Sequence, residues 1–474
     1  MRQRGCYGVE IRPVTVAICH RTDDGRRMAP TQPVSAASQR GRRDTQRERL
    51  VSAMIAVTAS EGYAGASIAR VIARAGVSRP TFYEYFTDKD DCFLAALADV
   101  QPQLLAQVRR AVHRKPPEQA MAAAIHALVA FADTQPALAR VAMNEPMVCA
   151  GRALDARDTV MAQIAQIVED AHERVPAYTA IPDFSSRLLI GGVERQLAFH
   201  LRSGEPVTKL LEDLLDWVQR YEVPAGEHRW RSLQPLAPPP PSPFLQEIPL
   251  LAPAARARGR GGLSAEELAE SNRRRILLAA AQLSASKGYN ATTVTEIGEL
   301  AEVDARALRR LFTDKQEVFS AVHELHFQSI VAVTTRAFFA GESWPERVWE
   351  AGRAFAQAVE QNPSLAHVSF VEYYAAGPTG VQRNSELLLA FTVFLQEGYQ
   401  YMPSSTPPSR VALAAIAATN FEAIYQRVRA SSEPGLPGLL AHAVFLELAP
   451  FLGASETNRF IDERLRHMHG DVGS

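Results

Sequence analysis

Ala-Gly-Val-Ser-Arg-Pro-Thr-Phe-Tyr-Glu-Tyr-Phe-Thr-Asp-Lys, residues 75–89, is the stretch whose reading decides the fold. Gly76 follows a helical run and has no Cβ to oppose a left-handed turn. Two residues later Ser78 is a good N-cap, and Pro80 suits a first helical turn, where backbone N–H groups lack partners anyway. Phe82 and Phe86 then share one face, four residues apart. The spacing predicts two helices joined by a tight turn. With both rings inward, Arg79, Pro80, Thr81, Tyr83 and Glu84 surround the outer face. A guanidinium, a hydroxyl and a phenol near a helix N-terminus suit phosphate oxygens and base edges in a major groove. Taken alone, the motif is equally a solvated turn whose aromatics are core.

The flanks narrow this reading. Arg47 to Glu61 is an amphipathic helix stopped at Gly62-Tyr63, and Ser67 caps the next helix. Together, Gly62-Tyr63, Ser67-Ile68, Ala75-Gly-Val-Ser78, Thr81-Phe-Tyr-Glu-Tyr-Phe86 and Asp88-Lys89 make a three-helix unit that resembles the N-terminal DNA-binding domain of the TetR/AcrR family of transcriptional regulators. The resemblance implies DNA contacts from Arg47, Ser67, Ser78, Arg79, Pro80, Thr81, Tyr83, Tyr85 and Lys89.

A chain of 474 residues exceeds one compact domain, and its net charge of −1 gives no global basic signal, so any nucleic-acid face must be local. Cys6, Cys19, Cys92 and Cys149 lack disulfide or metal spacing, which predicts reduced thiols in a bacterial cytoplasm, near the nucleoid when DNA is bound. No apolar run is long enough to span a membrane, and no signal-peptide core follows Met1. Residues 1–41 carry seven Arg against three acidic residues without periodicity and are expected to be a disordered basic tail. A start at Met28 and a basic arm entering a minor groove are both open readings of it.

Residues 42–100 form the first head. Residues 101–223 carry apolar faces at helical spacing throughout and no strand-like alternation, which predicts an all-α protein. After such a head, this block resembles the family's effector-binding and dimerisation domain, whose last two long helices pair in a four-helix bundle. Gly191-Gly192 suits close helix approach, within one domain or between two. Residues 224–263, rich in Pro, Gly and Arg, read as a flexible linker.

The sequence then begins again. Gly288-Tyr289 lies 226 positions after Gly62-Tyr63, and the same offset maps Ser67 to Thr293, Phe86 to Phe312 and Asp88-Lys89 to Asp314-Lys315. Pro136 maps to Pro363 and Glu145 to Glu372 at 227, and Gly151 to Gly377 and Arg157 to Arg383 at 226. Two TetR-like units are expected in tandem, the second with its head over 264–325 and its bundle over 326–470.

The two reading helices differ. Ala301-Glu302-Val303-Asp304 replaces Ala-Gly-Val-Ser, and a left-handed Glu302 would cost about 1 kcal/mol relative to Gly, so the turn is strained or differently shaped. Thr81 becomes Ala307 and Tyr83 becomes Arg309, which removes two hydroxyls. A second DNA-binding head, if it reads DNA, would use Thr293, Arg306, Arg309, Arg310 and Lys315. Basic residues outnumber acidic eight to five over 42–89 and equal them at eight over 264–315, so the first head is expected to bind more strongly.

Trp344, Trp349, Phe355, Tyr373 and Tyr374 are candidates to line a pocket, with plain core packing as the alternative. Glu145, Arg157, Glu194 and His200 are polar positions suited to an effector or to structural ion pairs. No loop for nucleotides, nucleophile elbow or zinc motif occurs, so no enzyme, cofactor or metal is expected, and His467-Met468-His469 reads as a solvated tail. The expected function is a ligand-responsive transcriptional regulator, a repressor, released from its double-stranded operator by a largely apolar effector. It would act as an intramolecular pseudo-dimer or as a homodimer. The alternative is a protein-binding adaptor whose degenerate second head recruits a partner.

Overall fold

The computed structural model describes residues 36–174, 186–221, 239–247, 264–402, 406–431 and 435–470. Among them are helices and turns but no strand, so the chain is all-α. The first head comprises α1 (Ala36–Gly65), α2 (Ile68–Ala75) and α3 (Arg79–Tyr85). Helix α1 begins inside the stretch expected to be disordered, because Ala, Gln and Arg are good helix formers and extend an existing helix without a new nucleus. Residues 1–35 lie outside the described residues.

Helix α4 (Lys89–His113) carries the chain from head to bundle, followed by α5 (Ala120–Thr134), α6 (Pro136–Ala139), α7 (Glu145–Cys149), α8 (Arg152–His172), α9 (Ser186–Ser203) and α10 (Leu211–Gln219). The second repeat follows this order with a 3-10 turn (Tyr373–Ala376) in the place of α7 and one added helix at its end: α11 (Ala265–Lys287), α12 (Val294–Ala301), α13 (Ala305–Leu311), α14 (Lys315–Phe338), α15 (Trp344–Gln361), α16 (Pro363–His367), α17 (Pro378–Phe391), α18 (Arg410–Ala430), α19 (Leu440–Leu452) and α20 (Ala454–Gly470). One turn of π-helix precedes Glu145 in the first repeat and ends on Glu372 in the second. The C-terminal tail expected at His467-Met468-His469 is instead part of α20, held by buried Ile461 and Leu465.

Only part of the linker can be compared with expectation, and that part is pinned. Gln357 Nε2 donates to the carbonyls of Pro239 at 3.1 Å and Pro240 at 3.0 Å, Ser242 N donates to Gln357 Oε1 at 2.8 Å, and Leu245 is buried. Proline offers a carbonyl and no N–H, and the Gln357 amide supplies the missing donor.

The residues from Gln46 onward form one body, in which the two repeats are joined by α9 and α18. A Cβ on Gly192 would sit 2.1 Å from Thr419 Oγ1, and one on Gly191 2.4 Å from Glu422 Cγ. The glycine pair therefore serves contact between the repeats rather than packing inside one of them. Alongside, Tyr221 follows α10 and donates from its hydroxyl to Leu446 O at 2.9 Å, with its ring against Phe445. The seam also carries buried charge. Arg157 of α8 reaches Glu194 Oε2 at 2.7 Å and Glu422 Oε2 at 3.1 Å, and Arg195 reaches Glu422 Oε2 at 2.8 Å. Burial works to raise the Glu422 carboxyl, but Arg157 and Arg195 outweigh it and hold it at about 2.

No described helix is long and apolar enough to cross a membrane. Cys92 and Cys149 are buried free thiols.

Candidate nucleic-acid interface

In the first head each turn is closed by a specific donor. Ser67 Oγ accepts from Arg70 N and caps α2, and Gly76 takes the left-handed conformation at φ 61° and ψ 43°. Arg49, reaching from α1, donates to the carbonyls of Ala75 and Gly76. Ser78 Oγ accepts from Thr81 N at 3.2 Å, and the two hydroxyls lie 2.8 Å apart. Phe82 and Phe86 are buried with ring centres 5.7 Å apart. The outer face is then open: Arg79 and Pro80 are exposed, Thr81 is half-buried, and Tyr83 is 48% exposed with the Arg79 guanidinium 5.9 Å from its ring.

Not every residue expected at this face is free to reach outward. Arg47 lies 5.6 Å over the Phe86 ring but stays exposed. Tyr85 is half-buried, with its hydroxyl on Gln46 Oε1. Lys89 donates to Tyr63 O at 3.1 Å, with its ammonium 3.8 Å from the Tyr63 ring centre, and burial lowers its pKa. The structure thus leaves Arg47, Ser67, Ser78, Arg79, Pro80 and Tyr83 exposed and Thr81 half-buried, and turns Tyr85 and Lys89 into the head's own framework.

The second head repeats the framework and changes the face. Arg275 donates to Glu302 O as Arg49 does to Gly76 O, and Arg273 lies 5.2 Å over Phe312 as Arg47 does over Phe86. Glu302 adopts φ 52° and ψ 45°, so the turn keeps its shape and a non-glycine residue bears the strain. Asp304 replaces Ser78 as cap, accepting from Arg306 N at 3.0 Å and Ala307 N at 2.9 Å. Thr293 and Glu296 form the capping box of α12. Lys315, like Lys89, points inward and donates to Tyr289 O and Thr292 O. Arg306, Arg309 and Arg310 are exposed and bear no ion pair among the described residues. Whole-head charge favours the first head, yet the second reading helix presents three exposed guanidiniums against the single Arg79 of the first, with Arg306 and Arg310 within electrostatic reach of the Asp304 cap. Other acids of the second head pair within its framework, as in Arg274 with Glu270 and Lys287 with Glu296, the latter at the positions of Glu61 and Arg70 in the first head.

Heads and bundles meet at one recurring contact. Glu145 Oε2 accepts from Tyr63 N at 2.6 Å, and Glu372 Oε2 accepts from Tyr289 N at 2.7 Å. The preceding Gly62 and Gly288 have φ of 73° and 85° with ψ near 160°, a region essentially restricted to glycine. The 227-residue offset between the two glutamates marked the contact in the sequence, although nothing there named its partner.

Inside the second bundle lies a cavity of about 120 Å³, walled by Phe355, Phe370, Phe391, Phe394 and Phe421, with Thr334, Asn420 and Glu447 as polar lining. Of the aromatic residues expected to line a pocket, Phe355 lines this cavity and Tyr374 lines a second one, together with Glu194 and His200. Trp344 is core, with its indole N–H donating to Phe394 O, and Trp349 is core as well. Tyr373 pairs with the Ser320 hydroxyl, and Tyr374 accepts from Arg195. Among the polar candidates, Arg157 and Glu194 pair with each other, and His200 meets Gln196 O at 3.1 Å. No described group of His, Cys, Asp and Glu is placed to hold a metal ion.

The model of bacterial regulatory proteins of the tetR family matches residues 50–96 and 276–322, the two heads. No curated protein matches the chain. Among solved structures, the chain is similar to the fatty acid degradation regulator FadR from Bacillus halodurans, with 16% identity and a TM-score of 0.31 over 36% of this chain and 92% of that one. It is also similar to a bacterial regulatory protein in the tetR family from Rhodococcus RHA1, with 21% identity and a TM-score of 0.30 over 42% of this chain and 96% of that one. Two matched heads on an all-α chain make this protein a tandem fusion of two TetR-like units, each opened by a head of the kind found in bacterial regulatory proteins of the tetR family.

Proposed function

We propose that the chain is a ligand-responsive repressor in which the two repeats take the places of the two subunits of a dimer. In this reading, residues 42–100 and 264–325 are the heads, and residues 101–223 and 326–470 are bundles that pair with each other. What supports it is the seam itself: the glycine pair of α9, the Arg157–Glu422 ion pair and the Tyr221–Leu446 bond all link one repeat to the other. The faces that would pair with a second chain are thus met within this one.

The effector enters the Phe-walled cavity of the second bundle. Phe370, in its wall, lies two residues before Glu372, which holds the second head at Tyr289. That proximity is the observation that carries the ligand response. A molecule that favours one arrangement of the π-helical turn shifts the balance between head positions by its differential affinity, and recognition helices must lie about 34–36 Å apart to meet successive major grooves.

The heads read different half-sites. The first uses Arg47, Ser67, Ser78, Arg79, Pro80, Thr81 and Tyr83; the second uses Thr293, Arg306, Arg309 and Arg310. Selection of bound DNA from a random pool by the full chain, and by its Tyr83→Ala and Arg309→Ala variants, tests this. The expected product is a non-palindromic site, with each variant relaxing one half. A palindromic site, or two halves that survive both variants, overturns it.

A further inference from the structure

Glu447 is an unusual side chain for the wall of an otherwise apolar cavity. It sits on α19, deep in the second bundle, and Asn420 Nδ2 of α18 donates to its Oε1 at 2.7 Å. Of the residues lining the cavity, Glu447 is the one with a titratable side chain, and the five phenylalanines bring aromatic faces to the same space. The first repeat uses the corresponding place differently. At the 226-residue offset Asn420 corresponds to Glu194, which is ion-paired with the buried Arg157, whereas Arg383, the counterpart of Arg157, lies outside on an exposed ion pair with Glu386. The first repeat spends its acid on a salt bridge in the seam, and the second keeps a carboxyl without a cation inside its bundle.

We propose that the cavity of the second repeat binds a small organic cation, its apolar body among Phe355, Phe370, Phe391, Phe394 and Phe421 and its positive charge against Glu447. This deepens the ligand-responsive reading above and rests on it. Aromatic faces attract a desolvated cation through the ring quadrupole, and a carboxylate in a low-dielectric wall pairs with it far more strongly than in water. A neutral apolar ligand would gain nothing from an acid that a glutamine or leucine could replace.

The empty site keeps its acid protonated. Burial pushes the Glu447 carboxyl up to about 8, and the Asn420 hydrogen bond only partly opposes this. The phenol of Tyr221, just after α10, interacts electrostatically with Glu447; burial holds it well above its ordinary range, so it stays neutral. Cation binding therefore releases the Glu447 proton to solvent, and affinity rises with pH until the acid is ionised without ligand.

Isothermal titration of the full chain with phenyltrimethylammonium, whose charge is permanent, and with its neutral isostere tert-butylbenzene tests the proposal. The cation is expected to bind more tightly than the isostere, with affinity rising roughly tenfold per pH unit from pH 6 toward 8. It should release close to one proton at pH 7, measured in two buffers of different ionisation enthalpy on the unaltered chain. Glu447→Gln should abolish both the pH dependence and the preference. Equal or tighter binding of tert-butylbenzene, or cation binding that ignores pH and Glu447, overturns the cation assignment while leaving a ligand cavity. Failure of both probes to bind a chain that still binds DNA overturns the ligand reading as well.

Discussion

Glu145 Oε2 lies 2.6 Å from the backbone nitrogen of Tyr63, 82 residues earlier, and Glu372 repeats the contact with Tyr289 across 83 residues at 2.7 Å. In each repeat a bundle carboxylate closes the end of the head's first helix. Burial raises the Glu145 pKa, and the donated N–H opposes that rise. Hydrogen bonds to charged groups contribute about 1.5–3 kcal/mol. Glu145→Ala should destabilise the chain by about that amount and speed hydrogen exchange at the Tyr63 amide. Unchanged exchange there would show that the contact does not hold head to bundle.

The two turns make a paired test of backbone strain. Glu302 holds the same left-handed conformation as Gly76, so Glu302→Gly should stabilise the second head by about 1 kcal/mol. The reverse exchange, Gly76→Ala, meets both an unfavourable φ and a Cβ placed 2.7 Å from Arg49 Nη2, and should destabilise the first head by more than that. Urea unfolding of each variant reads the two signs, and the same sign for both would contradict the geometry.

The seam should be sensitive to loss of one charge. Glu422→Leu leaves Arg195 buried without its carboxylate partner and Arg157 with Glu194 and Asp158 as its remaining close acids, and breaking such a network costs about 3–5 kcal/mol. The folded pKa of Glu422, about 2, is below its ordinary 4.5. Its stabilising contribution is therefore complete above pH 4.5 and is lost as pH falls toward 2. Wild type and Glu422→Leu should converge in acid denaturation, and a constant gap between them down to pH 2 would count against the network.

Glu447 has the opposite linkage. Its folded pKa of about 8 lies above 4.5, so the folded state binds the proton more tightly. That stability is full below pH 4.5 and is lost as pH rises toward 8, at most about 1.4 kcal/mol per unit. Without ligand, Glu447→Gln should gain on wild type across this window, as read by thermal unfolding at pH 5 and pH 8. A stability difference independent of pH would mean that the carboxyl is not held neutral.

The pseudo-dimer makes a simple prediction about mass. Light scattering on the full chain should give 52.0 kDa, and Gly192→Leu, which drives a side chain into Thr419, should lower its stability. A mass near twice that value for the unaltered chain would indicate that pairing between chains prevails.

The sequence by itself determined the heads. Their signals are local: Ser67, Ser78, Thr293 and Asp304 cap helices within three residues, Gly76 takes the left-handed turn, and the Phe82–Phe86 spacing sets the buried face. The same local signals, recurring at 226 residues, revealed the duplication. Only the tertiary structure decided which polar groups are spent on the fold. Lys89 and Lys315 turn inward to the Tyr63 and Tyr289 carbonyls, Arg49 and Arg275 close the turns, and Arg157 is buried between repeats. A charge count treats all of these as equal to Arg79 or Arg309. The partner of a long cationic side chain depends on which distant backbone the fold brings within about 3 Å, and helical periodicity carries no record of that.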